Sequence, residues 1–74
     1  MKKTTTFEDI GWGKFAKSRI IIEEFYTPSN DFDCVHAAAI TEDFKLFEAT
    51  TDNLYEALMV ATDEETAKWL IKKM

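Results

Sequence analysis

The sequence predicts an α+β fold: a three-stranded antiparallel meander, then two short C-terminal helices packed on one face, with a short N-terminal helix or turn. Three observations carry this expectation. Residues 20–22 read Ile-Ile-Ile, a β-branched run suited to a strand. Turn chemistry at residues 27–33, TPSNDFD, and at 41–43 divides the stretch that follows into short runs. After residue 50 the apolar period becomes that of a helix.

The elements follow in order. Thr6 can cap a short helical entry whose first turn holds Glu8 and Asp9. Gly11 and Gly13, the only two glycines, flank Trp12 and break any helix there, at about 1 kcal/mol each relative to Ala. A bend that returns Trp12 to the core is the expectation, and display of Trp12 to a partner the alternative. Trp12, Phe15, Ala16 and Ile20 compete at helical spacing, but the glycines and the isoleucines favour a strand over 18–27. In it Ile20, Ile22, Glu24 and Tyr26 share one face, and Ile21, Glu23 and Phe25 the other. Apolar groups on both faces suggest a central strand. A second strand covers 34–41. Ala37, Ala38 and Ala39 keep a helix open there, and in a strand they admit close packing of another element. A third covers 44–50, where Phe44, Leu46 and Glu48 alternate with Lys45, Phe47 and Ala49.

Two apolar stripes then recur at i, i+3, i+4, i+7: Leu54, Ala57, Leu58 and Ala61, and Ala67, Leu70, Ile71 and Met74. At about 100° per residue they point in different directions, so one straight helix cannot bury both. Thr51, Asp52 or Asn53 can cap the first, with Asn53 and Glu56 at capping-box spacing. Thr62-Asp63-Glu64-Glu65 reads as a capping box for the second. Two helices, 52–61 and 63–73, with a break at Thr62, are expected.

Seventy-four residues make a single compact domain, 1–74, and a chain this size buries little more than ~60% of its unfolded surface. One cysteine, Cys34, excludes an internal disulfide and a thiolate-rich zinc site. Lys2 and Lys3 are followed by threonines and acids rather than by an apolar run, and the longest uncharged apolar run is 57–61. A soluble cytoplasmic protein is expected. The charge of −5 is unevenly laid out: residues 20–66 hold twelve acids against one base, Lys45, while both ends of the chain are basic. Such a segment repels nucleic acid and anionic membrane and attracts basic surfaces.

Catalytic signatures are lacking. Cys34 and His36 share a strand face, but neighbours at i, i+2 rarely meet as a nucleophile and base, so a small buried thiol and a partly exposed histidine are expected. Asp31-Phe32-Asp33 starts like a calcium loop, yet Val35 stands at the fifth position and no glycine follows. No glycine-rich phosphate loop exists, and no cofactor is implied. Lys14, Lys17 and Arg19 beside Trp12 and Phe15 make a small basic cluster of a kind that can bind single strands, but three basic groups near a strand start are ordinary, and the acidic block disfavours direct nucleic-acid binding. Adjacent Glu23 and Glu24 point to opposite faces and form no acid/base pair.

Surface recognition is the remaining class. A non-catalytic binding protein is expected, one that masks a basic, nucleic-acid-binding surface of a larger protein. Its candidate contact residues are the acids Asp31, Asp33, Glu42, Asp43, Asp63, Glu64 and Glu65, imitating phosphate charge, together with Trp69, an interface-prone ring on the second helix. In size, charge and composition the chain is similar to phage and mobile-element inhibitors such as anti-CRISPR proteins and DNA mimics, though it carries no motif of any such family. The alternative is a homo-oligomeric, antitoxin-like accessory subunit that pairs through a sheet edge and exposed aromatics, as a possible homodimer.

Overall fold

The computed structural model describes residues 1–8 and 18–74. Four strands, β1 (Lys2–Phe7), β2 (Arg19–Tyr26), β3 (Phe32–Ile40) and β4 (Leu46–Thr51), precede two helices, α1 (Leu54–Ala61) and α2 (Glu64–Lys73). The sheet order is β1-β2-β3-β4 and every neighbouring pair is antiparallel. The α+β class, the meander and the two C-terminal helices are as the sequence predicts. The reading of GWG, and of Lys14, Phe15 and Lys17, lies outside the described residues.

The N-terminus corrects the expectation. Lys2–Phe7 form a fourth strand, so Thr6 and Phe7 do not open a helix, while Asp9 of that expected entry lies outside the described residues. Three consecutive threonines favour the extended chain. Pairing with β2 supplies ladder hydrogen bonds, with Lys3 opposite Glu24, Thr5 opposite Ile22 and Phe7 opposite Ile20. Met1 extends the ladder, since Tyr26 N–H donates to the Met1 carbonyl at 2.8 Å.

Register divides the residues between two faces. On the covered face, Ile20 and Ile22 of β2 lie beside Ala39 and Ala37 of β3, and these pair with Phe47 and Ala49 of β4. Ile20, Ile22, Val35, Ala37 and Ala39 are fully buried and form one core with Ala57, Leu58, Ala61, Ala67 and Leu70 of the helices. Each large aliphatic among them contributes roughly 1.5–3 kcal/mol. The alanines serve as expected: helix and sheet surfaces that are both alanine-lined let α1 approach β3 and β4 closely. Among the described residues, no helix lies on the opposite face of the sheet.

The helix break falls at Thr62. Its N–H donates to the Leu58 carbonyl at 2.7 Å and ends α1. Asn53 caps α1 by accepting from Glu56 N–H at 3.1 Å. The cap of α2 is Asp63, accepting from Thr66 N–H at 2.8 Å, one residue beyond the expected Thr62. Thr62 instead closes the preceding helix, with its hydroxyl donating back to the Leu58 carbonyl at 2.6 Å.

Candidate functional site

A chain of charged side chains crosses all four strands on the uncovered face. Lys2 Nζ of β1 lies 2.7 Å from Glu23 Oε2 of β2. Glu23 Oε1 lies 3.5 Å from His36 Nδ1 of β3, and His36 Nε2 lies 2.8 Å from Glu48 Oε2 of β4. The hydrogen bond from Lys2 is the main cause that holds the Glu23 carboxyl below its ordinary range. An imidazole with a carboxylate at each nitrogen can donate twice only as the cation. Cys34, a half-buried free thiol on the same face, makes no hydrogen bond to His36. The row ties the strands together and presents no nucleophile–base pair.

The two hairpin turns share one geometry. In the β2–β3 turn, Asn30 N–H donates to the Thr27 carbonyl at 2.9 Å and Thr27 N–H to the Asp31 carbonyl at 2.8 Å. In the β3–β4 turn, Phe44 N–H donates to the Thr41 carbonyl at 2.9 Å and Thr41 N–H to the Lys45 carbonyl at 3.0 Å. Both threonine hydroxyls accept the backbone N–H four residues on, at 3.2 Å from Asp31 and 3.1 Å from Lys45. Each turn ends in the left-handed region, at Asn30 (φ 67°) and Phe44 (φ 63°). The sequence reading placed Phe44 at the start of a strand. It stands in the turn, and its ring is 89% exposed.

Each predicted contact residue has a defined place. Asp31 accepts from Ser29 Oγ at 3.1 Å in the β2–β3 turn, and Asp33 is exposed at the start of β3. Glu42 and Asp43 sit in the β3–β4 turn, where Thr41 Oγ1 donates to Asp43 and lowers its pKa, with Lys45 Nζ 3.7 Å away. Asp63 caps α2, Glu64 pairs with Lys68 at 3.1 Å, and Glu65 is exposed. Glu64 raises the Lys68 pKa through that hydrogen bond. Trp69 is half-buried against the core, its ring centroid 6.4 Å from that of Phe7 and its face under Lys73 Nζ at 5.6 Å.

The two acidic turns stand at opposite ends of β3, whose nine residues span about 27 Å at ~3.3 Å per residue. Val35 pairs with Thr51, so Asp31, Asp33, Asp52 and the capped start of α1 gather at the β2–β3 end. Glu42 and Asp43 mark the other. Sequence reasoning missed Ile40 and Leu46, which pair across β3 and β4 next to Phe44, 38% and 55% exposed. The alternation in 44–50 carried that signal.

An open depression of about 280 Å³, lined by Met1, Lys2, Lys3, Tyr26 and Asn30, lies at the N-terminal edge. Its lysines are tied to Glu23 and Glu24. Among the described residues no three His, Cys, Asp or Glu side chains are grouped to hold a metal, and no helix is long and apolar enough to cross a membrane. Comparison with known protein families, curated proteins and solved structures finds no match for this chain.

Proposed function

We propose that this protein is a small acidic binding module, without catalysis of its own, that masks a basic surface on a larger nucleic-acid-handling protein. The supporting observation is how its charges are distributed. Lys2, Lys3, Arg19, Lys45 and Lys68 are each tied to an acid of the same chain, while Lys72 and Lys73 at the end of α2 form no ion pair among the described residues. Asp31, Asp33, Glu42, Asp52, Glu56, Asp63 and Glu65 form no ion pair among the described residues. The surplus negative charge is therefore turned outward, and hydrogen bonds from Ser29 and from the Thr66 N–H hold two of those carboxylates, Asp31 and Asp63, in place. Pre-organised charge of one sign steers association with the opposite sign.

The homo-oligomer reading ranks second. Among the described residues no strand lies beyond β1 or β4, which leaves two edges for pairing. Lys2 and Lys3 on one edge and Glu48 on the other discourage it, as edge charges do. Trp69, which either reading could use, is packed against Phe7.

The test is affinity capture from host lysate, eluted in steps with salt and, separately, with duplex DNA. The expected result is a basic nucleic-acid-binding protein released by ~0.5 M salt and displaced by DNA. A chain with Asp31, Asp33 and Asp52 changed to Lys should capture less of it. Recovery of the chain alone, indifferent to salt, would overturn the reading in favour of self-association.

A further inference from the structure

We propose that the tip of the β3–β4 hairpin is the apolar anchor of this interface, and that it receives a basic amphipathic segment of the partner protein. The inference rests on the masking reading and names the chemistry that reading leaves open.

Phe44 carries the argument. A phenylalanine is poorly suited to the left-handed region, because its Cβ crowds the backbone carbonyl. Core burial could offset that cost, but the ring is 89% exposed. The β2–β3 turn has the same hydrogen bonds and fills the same position with Asn30, a residue that tolerates this conformation. The fold therefore does not require a large ring at position 44. Residues held in sparsely populated backbone regions cluster at recognition sites, where the surroundings over-determine them. Here Thr41 supplies that support, through hydrogen bonds to Asp43 and Lys45.

The ring is not isolated. Ile40 and Leu46 are cross-strand partners on the uncovered face and both are exposed. Phe44 stands in the turn that joins their strands, so three exposed apolar side chains sit at one end of the hairpin, as interface anchors do. Glu42, which makes no ion pair, and Asp43, which lies 3.7 Å from Lys45 Nζ, stand beside it, so Glu42 is the acid left open to a partner. Charge complementarity selects the occupant. A second copy would bring the same acids and a charge of −5. A segment with apolar residues on one side and Lys or Arg on the other fits both the apolar end and its rim.

The test titrates the ¹⁵N-labelled full chain with two synthetic peptides of equal charge, an amphipathic Lys/Leu helix and an oligolysine. The amphipathic peptide is expected to move the amides of residues 40–46. Phe44→Asn should weaken its binding about tenfold, leave oligolysine binding unchanged, and keep a melting temperature no lower than the parent's. Equal binding of the amphipathic peptide by Phe44→Asn overturns the anchor. So does oligolysine binding at Asp31, Asp33 and Asp52 with a silent tip, although the masking reading survives that result. Binding of neither peptide overturns both. Tip binding that ignores salt retains the anchor and overturns masking. A Phe44-dependent dimer in sedimentation replaces the basic segment with a second copy.

Discussion

Residues 27–31 and 41–45 build the same three-residue hairpin loop from different material. Thr27 and Thr41 open the two turns, and their hydroxyls accept equivalent backbone N–H groups. In the first, Pro28 presets the backbone, Ser29 and Asp31 close a hydrogen-bonded ring, and Asn30 takes the left-handed position. Every residue there suits its conformation. In the second, Glu42 replaces the proline and Phe44 the asparagine. One turn is optimised for folding. The other gives up stability in a loop that is otherwise equally well bonded, and the residue responsible is its most exposed large apolar side chain.

The sharpest way to break this comparison is to exchange the two residues. Asn30→Phe is expected to destabilise the chain by about 1–2 kcal/mol, the cost of a left-handed residue with a bulky Cβ substituent. Phe44→Asn is expected to stabilise it by about 1 kcal/mol, or roughly 4–8 °C in Tm for a domain of this size. The double exchange should fall close to the parent, because the sites are far enough apart to be additive. A destabilised Phe44→Asn would mean that Phe44 supports the fold, and the comparison would lose its meaning.

The next largest effect concerns the threonines. Thr27→Val and Thr41→Val each remove the acceptor for a backbone N–H, at about 1 kcal/mol apiece. Thr41→Val should cost more, since its hydroxyl also donates to the charged Asp43, whereas that of Thr27 meets only the neutral Ser29. Chemical denaturation of the two variants side by side checks the order. Equal losses would remove any special role for the Thr41–Asp43 bond.

The comparison also separates what could be read from the chain. The β2–β3 turn was legible because Pro, Ser, Asn and Asp are each explained by turn chemistry. The helix break was legible because two apolar stripes cannot face one surface, and Thr62 fell where they part. Phe44 was not legible as a turn residue, because its side chain is a strand former and the position it fills normally excludes it. Its place is dictated by the bonds that Thr41 makes to Phe44 and Lys45. β1 was hidden for a different reason. An edge strand of Lys and Thr has no apolar run of its own, and its identity comes from β2, where Glu23 and Glu24 meet Lys2 and Lys3. The acids of the candidate site were visible as turn and cap residues. Which were paired was not visible, because Lys2–Glu23 and Glu23–His36–Glu48 are joined by strand register and not by sequence distance.

A smaller effect follows from the remaining difference. Position 28 holds Pro and the matching position 42 holds Glu. The Glu42 N–H makes no hydrogen bond in the fold, so proline there removes nothing. Glu42→Pro should stabilise the chain by roughly 0.4–1 kcal/mol, chiefly by restricting the unfolded state. A loss of stability would show that the second turn departs from the first at its leading residue.

The smallest effect is the most diagnostic of the Thr41–Asp43 bond. The Asp43 carboxyl is held below its usual range, first by the hydrogen bond from Thr41 and then by Lys45. A carboxyl whose folded pKa is depressed adds stability above its unfolded value, and that contribution is lost as pH falls through the folded value. The group is exposed, so the gain is modest and salt screens the Lys45 part of it. The part from Thr41 is a directed hydrogen bond and should persist in salt. Titration followed at the Asp43 side-chain carbon should therefore give a low midpoint at both low and high ionic strength, and Thr41→Val should raise it. Above the Asp43 midpoint Thr41→Val should lie below the parent in stability, and the gap should narrow as the pH falls through it. A midpoint that rises to the ordinary value in salt would assign the shift to Lys45, leaving the second turn held by its backbone bonds alone.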